Sequence, residues 1–217
     1  MAGILKVDQV QSDSNLAFAI AGSNVAFMNA TSLQMVGSNV SLAGTNVITN
    51  GKLVTAGLPI GSVLQVVNTT YTSTFSQSIA TRAKLNNISA SITPTSATSK
   101  ILVMCDIFCE GNSADHNWHF FLYRDSTDIS SPSPGSRSAA IAMAGVGYFD
   151  SDNDSTPMYA NFHYFDSPST TSTITYAPGI GTPDGTKTIY INRTVTDSDS
   201  NGYERGISSI TLMEIAA

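Results

Sequence analysis

The sequence predicts an all-β chain: a short interwound β stem built from three chains, followed by a jelly-roll-like β-sandwich head. Three observations predict this. The unit Gly-Ser-Asn-Val at Gly22 returns at Gly37, as Gly-Thr-Asn-Val at Gly44 and as Gly-Lys-Leu-Val at Gly51, with Gly57 closing the series. From Ile60 onward, β-type runs alternate with polar turn clusters, and helical periodicity is absent throughout. Charged residues make up only 12% of the 217 residues, and Ser, Thr, Asn and Gly fill the gap. That mixture suits strands joined by polar turns and is unlike the highly charged, apolar-poor composition of a disordered chain.

Residues 1–21 open with Ile4, Lys6 and Asp8 alternating against Leu5, Val7 and Gln9. A strand this short does not fold alone. A segment docking to a partner outside the chain and a frayed terminus both fit.

Residues 22–57 carry the repeat, with glycine spacings of seven, seven and six residues after a first gap of fifteen. A seven-residue period suggests a coiled coil, but a glycine in every unit weakens a helix by about 1 kcal/mol each. Short β segments joined by glycine turns fit better. Val25, Val40, Val47 and Val54 hold the same place in each unit and are expected to point inward together. One copy is too poor in apolar residues to offset an ordering cost of roughly 1–2 kcal/mol per residue. Association of three chains, each giving one side of a triangular cross-section, supplies the missing surface. The competing reading, a flexible linker, gives no reason for valine to return in phase.

Pro59 marks the boundary of the third part, residues 58–217. Strands are expected near Ser62–Phe75, Leu85–Thr93, Lys100–Cys109, Trp118–Arg124, Ala139–Val146, Met158–Phe165, Thr171–Ala177, Thr188–Asn192 and Ile207–Ile215, with turn clusters at 93–99, 130–136, 150–157 and 197–202. So many strands without a helix fit a jelly-roll-type sandwich.

Gly61-Ser62-Val63-Leu64-Gln65-Val66-Val67 and Ser91-Ile92-Thr93-Pro94-Thr95-Ser96-Ala97-Thr98-Ser99-Lys100-Ile101-Leu102-Val103-Met104 carry a resemblance. So do Tyr164-Phe165-Asp166-Ser167-Pro168-Ser169-Thr170-Thr171, Thr188-Ile189-Tyr190-Ile191-Asn192-Arg193 and Ser208-Ser209-Ile210-Thr211-Leu212-Met213-Glu214-Ile215. Together they resemble the C-terminal head module of fibre and tail proteins of tailed phages, especially those of aquatic and cyanobacterial hosts. The resemblance spans roughly residues 60–217 and rests on structural rather than catalytic motifs. It implies a homotrimer in the virion, assembled in the host cytoplasm. The N-terminal part would be fixed to other virion proteins and the C-terminal part turned outward, toward a host-surface glycan or toward neighbouring virion subunits.

The net charge of −6 lies wholly beyond Gly57, because Lys6 and Lys52 balance Asp8 and Asp13. An acidic domain with dispersed Lys and Arg has no footprint for nucleic acid, whose phosphates need clustered cations. No run approaches a membrane span and no basic leader precedes Leu16, so neither membrane insertion nor a signal peptide is expected. Cys105 and Cys109 lie four apart on one strand face, roughly 13 Å by strand rise, beyond the 7 Å or so that a disulfide spans. Two buried free thiols are expected, as suits a reducing compartment.

An enzyme is not expected. No nucleophile elbow, P-loop, dinucleotide fingerprint or His-Glu-x-x-His is present. His116 and His119 fall on opposite faces of a strand, and His119 and His163 sit among aromatic residues, where core or interface packing is expected. No cofactor is expected, with one exception to weigh. Asp197-x-Asp199-x-Asn201-Gly202 matches the first half of a calcium loop, and Asp150-x-Asp152-x-Asp154 repeats the alternation. The twelfth position is Ser208 rather than Glu, so polar hairpin turns are the preferred reading. Trp118, Phe120, Phe121, Tyr123, Tyr159, Phe162, Tyr164 and Phe165 lie mid-strand and are expected in the core. Receptor-facing candidates are therefore the loops at 111–117, 126–137, 150–157 and 197–205, with Asn112, His116, Asp150, Asp152 and Asp154 foremost.

Overall fold

A computed structural model describes residues 58–114, 117–130, 135–146 and 155–217, together with the backbone of the strands within 16–53. The chain divides into two compact units, Met1–Pro59 and Ile60–Ala217.

In the first unit, β1 (Leu16–Ile20), β2 (Ser23–Met28) and β3 (Leu33–Met35) pair antiparallel in that order. So do β4 (Val40–Leu42), β5 (Thr45–Thr49) and β6 (Lys52–Leu53). The pairing is within one chain and joins residues before Gly22 to the repeat, since Leu16 faces Met28. Val25 lies on β2 and Val40 on β4 opposite Ile48. Val47 lies on β5 where the register shifts, and Val54 falls outside the described residues.

In the second unit the strands are β7 (Val63–Tyr71), β8 (Phe75–Ile79), β9 (Arg82–Lys84), β10 (Ala90–Ile92), β11 (Lys100–Gly111), β12 (Trp118–Arg124), β13 (Thr127–Asp128), β14 (Ala142–Ala144), β15 (Met158–Asp166), β16 (Ile174–Gly181), β17 (Lys187–Ile191) and β18 (Ser208–Ile215). One sheet runs β7-β18-β11-β15, with β17 and β8 extending it beside the far end of β11. The other runs β10-β16-β12-β14, extended by β9 and β13. Number the eight strands β7, β10, β11, β12, β14, β15, β16 and β18 in chain order. The two sheets then read 1-8-3-6 and 2-7-4-5, the paired Greek keys of a jelly roll.

Alternation builds the core. Ile101, Val103, Cys105, Ile107 and Cys109 of β11, with Ile210 and Leu212 of β18, face Trp118, Phe120, Leu122, Tyr176 and Ile180 of the opposite sheet. Leu85 and Ile88 fill the same core from a turn closed by Ile88 N–H to the Leu85 carbonyl, not from the strand expected there. The expected strand Ser62–Phe75 is likewise two strands. Asn192, held at φ 60, donates its amide to the carbonyls of Tyr71 and Ser73, which turns the chain between β7 and β8. No helix of the described residues is long and apolar enough to cross a membrane.

Cys105 and Cys109 are buried and free, and burial pushes both thiols well above their ordinary pKa. The folded protein should therefore react with neither thiolate-directed reagent nor alkylator, and both cysteines should label only on unfolding. Rapid labelling of the native chain would contradict this packing.

The end of the sandwich nearest Lys100 is tied by carboxylates. Asp166 accepts from Arg124 at 2.9 Å and from the Tyr176 hydroxyl at 2.6 Å, joining the two sheets. Burial, and then that bond to Asp166, raises the Tyr176 pKa. Glu214 accepts from Gln65 Nε2 at 2.6 Å and from Thr95 N and Oγ1 at 2.7 Å. Burial raises the Glu214 pKa, but these hydrogen bonds outweigh it and hold the group below its ordinary 4.5. A depressed folded-state pKa gives stability that is present above 4.5 and lost as pH falls through the lower folded value. Thermal unfolding should show Tm falling with acid in that window, and Glu214→Gln should lower Tm at neutral pH while flattening the acid slope.

Candidate functional site: the loop end and the outer sheet face

At the other end of the sandwich, residues 155–157 of the loop expected at 150–157 meet the loop expected at 197–205. Glu110 is fully buried. Its Oε1 accepts Thr156 N–H at 2.6 Å and Thr156 Oγ1 at 3.0 Å, while Oε2 accepts Val195 N–H at 2.6 Å. Ser155 Oγ donates to Glu204 at 2.8 Å and also to the Gly202 carbonyl. One carboxylate on β11 thus clamps the 155–157 and 193–197 segments over the sheet.

The 197–205 loop encloses a depression of about 260 Å³ lined by Asp197, Asp199, Tyr203, Glu204 and Arg205 among others. Asp197 uses both oxygens on arginines: Arg193 at 3.1 Å and Arg205 at 2.6 Å. A calcium ion at Asp197, Asp199 and Asn201 would have to share the Asp197 oxygens with two guanidinium groups, whose positive charge opposes it. Asn201 is exposed and does not line the depression. Asn112 continues the β11–β17 ladder by one step, its Oδ1 accepting Thr188 N–H at 2.9 Å while its own N–H donates to the Thr188 carbonyl at 3.0 Å. His116, Asp150, Asp152 and Asp154 lie outside the described residues.

His119 is buried on the outer side of the second sheet, beside Phe121 and over a depression of about 210 Å³ shared with Arg82 and Thr182. Burial, and then the nearby Arg82 charge, lowers its pKa. Arg82 itself lies 4.0 Å over the Phe121 ring and pairs with Asp128 at 2.8 Å.

His163 is different: it is exposed on β15, so of the core or interface packing expected for it the core half does not occur within the chain. Tyr159 and Phe165 also leave the core, whereas Trp118, Phe120, Phe121 and Phe162 are buried as expected. The reason is register. Four strands set their outward side chains in rows: Thr70, Ser209, Asp106 and Asn161; then Asn68, Thr211, Met104 and His163; then Val66, Met213, Leu102 and Phe165. Asn161 and Ser209 donate to Asp106, and Asn68 donates to Thr211 at 2.8 Å. Between the rings a shallow depression of about 230 Å³ is lined by Met104, Asp106, Asn161, Phe162 and His163. Sequence reasoning missed this face. The available signal was that β15 carries large side chains in both phases of its alternation, so one phase had to face outward.

No family model matches the chain, and no curated protein matches it. Among solved structures, it is similar to infectious bursal disease virus Gx strain, with TM-score 0.36 and 11% identity over 85% of this chain and 47% of that one. It is also similar to the VP2 subviral particle of infectious bursal disease virus, with TM-score 0.34 and 10% identity over 88% and 50%. T=1 particles derived from the same virus give 0.32 and 12% over 88% and 49%. The chain spans about half the length of these solved chains. Overlap of this extent fixes neither a family nor a function.

Proposed function

We propose that the chain is a non-enzymatic phage virion fibre protein that works as a homotrimer. Residues 1–21 dock on other virion proteins. Residues 22–57 wind three chains into a β stem with Val25, Val40, Val47 and Val54 inward. Residues 58–217 present the jelly-roll head to the host surface, where the partner is a glycan. The observation that carries this reading is how the polar groups are divided. Glu110, Asp166, Asp197 and Glu214 are committed to holding elements together, whereas the outer face of the β7-β18-β11-β15 sheet leaves amide, hydroxyl and aromatic groups exposed. That arrangement suits binding without turnover. Weak single-site binding would gain strongly from three heads on one stem. The resemblance of residues 60–217 to phage fibre heads supports the virion setting.

A second reading, a capsid decoration or tail-assembly protein with no host ligand, is favoured by one feature. Val63 and Val66 are 50% and 55% exposed, and Val66 heads an apolar row across the same sheet, a surface suited to packing on a neighbouring subunit. Two measurements on the full chain separate the readings. Light scattering should give three times the 22.8 kDa chain mass, and the labelled trimer should attach to cyanobacterial cells. A monomer removes the stem. A folded trimer that attaches to no cell but assembles onto particles supports the second reading.

A further inference from the structure

We propose that the outward face of β15, together with Asp106 beside it, is a binding site for a neutral oligosaccharide; this deepens the attachment reading and rests on it. Strand alternation turns Tyr159, Asn161, His163 and Phe165 to one exposed face while Ala160, Phe162 and Asp166 are buried. Tyr159 is 47% and Phe165 51% exposed. The six-residue step between them covers roughly 20 Å at the rise of a strand. The depression bordered by Asp106, Asn161 and His163 lies between the two rings.

This order, with rings outside and polar groups at the centre, inverts a protein–protein hot spot, which buries aromatic anchors centrally inside a polar rim. A sugar chain can use the inverted order. The C–H faces of a pyranose carry slight positive charge and settle on the negative face of an aromatic ring. Its hydroxyls between those contacts need donors and acceptors together. Asn161 and His163 offer side-chain nitrogens. The Asp106 carboxylate, oriented by Asn161 and Ser209, keeps further acceptor lone pairs. Tyr159 is already held edge-on against Phe108, with ring centroids 5.2 Å apart, so binding orders little that is not ordered beforehand.

Charge selects the neutral class. Among the described residues, Asp106 is the one carboxylate lining the depression, and no Lys or Arg lines it. Lys100 lies at the Phe165 end, its ammonium 5.7 Å from that ring centroid. A uronic or sialic acid over the depression would bring its carboxylate toward Asp106, while Lys100 offers its charge only at the Phe165 end. A single nucleic-acid strand could stack on the rings, but its phosphates need cations along the path.

The test is titration of the full chain against neutral hexose oligosaccharides of increasing length and against uronic- and sialic-acid-containing ones, run beside cell attachment. Neutral chains should bind, longer ones more tightly than monosaccharides. Tyr159→Ala and Phe165→Ala should each weaken binding by about tenfold or more, with unfolding curves like those of the parent chain. Asp106→Asn should narrow the preference for neutral over acidic chains. Unchanged binding by both ring variants would place the site elsewhere while leaving attachment intact. Cell attachment without binding to any oligosaccharide would overturn the ligand class alone, and so would a preference for acidic chains. Absence of both cell attachment and oligosaccharide binding would end the attachment reading and this site with it.

Discussion

Replacing Trp118 with alanine should lower the unfolding free energy of the C-terminal unit by about 4 kcal/mol, the cost of emptying a large aromatic site in a closely packed core. Trp118 is fully buried at the start of β12, and its indole lies over Gly111 at the end of β11. A Cβ at position 111 would sit 2.4 Å from that ring, so neither partner can grow without moving the other sheet. The indole also supplies a discriminating control. Among the described residues its buried Nε1–H finds no hydrogen-bond partner, a standing cost that Trp118→Phe would remove. Trp118→Phe should therefore be much milder than Trp118→Ala, although both leave unfilled volume. Urea unfolding followed by circular dichroism measures both. A Trp118→Phe loss as large as the emptied ring volume alone explains would mean that the indole nitrogen is satisfied.

The second large effect is expected at Glu110. Truncation to alanine should cost about 3 kcal/mol, because the Thr156 and Val195 amides lose their acceptor and the Thr156 hydroxyl loses its own. Glu110→Gln should fall between parent and alanine, since a carboxamide offers one acceptor oxygen where two oxygens now accept amide N–H groups. The loss should also be local. Limited proteolysis should cut first within 193–206 in Glu110→Ala, while Trp118→Ala should open the whole unit. Cleavage spread evenly across both variants would refute the clamp.

Much of the strand content was legible from single residues. Trp118–Arg124 appears with the bounds its aromatic run predicts, and Met158–Asp166 extends its prediction by one residue. β11 runs to Gly111 rather than Cys109, because Glu110 is buried by partners far away in sequence. Arg82–Lys84 was not visible as a strand, since two of its three residues are charged and its ladder with Gly179–Gly181 is long-range. Of the single strand expected at Leu85–Thr93 only Ala90–Ile92 is one, and Leu85 and Ile88 reach the core from a turn; burial leaves the same apolar mark on a turn as on a strand.

The candidate site was legible only in outline. The loops at 150–157 and 197–205 were named from their Asp, Asn and Gly content, and Ser155, Gly202 and Glu204 do meet. That content could not reveal that Asp197 is held by two arginines or that Asn112 serves the β17 ladder. Aromatics on β15 were expected in the core because mid-strand rings usually are. Their phase, and not their number, decides which of them is covered.

By itself, the sequence determined an all-β chain: alternation, turn chemistry and the scarcity of helix-forming periodicity are local properties, and local backbone preference follows from them. It also determined that Cys105 and Cys109 stay apart, since strand rise alone separates them. Only the tertiary structure decided which strands are neighbours, placing β7 against β18 and β11 against β15. Those pairings join residues far apart in sequence, whose alternation is compatible with many partners. With them came the outer face on which Asp106 meets Asn161, a contact across 55 residues that no local pattern encodes.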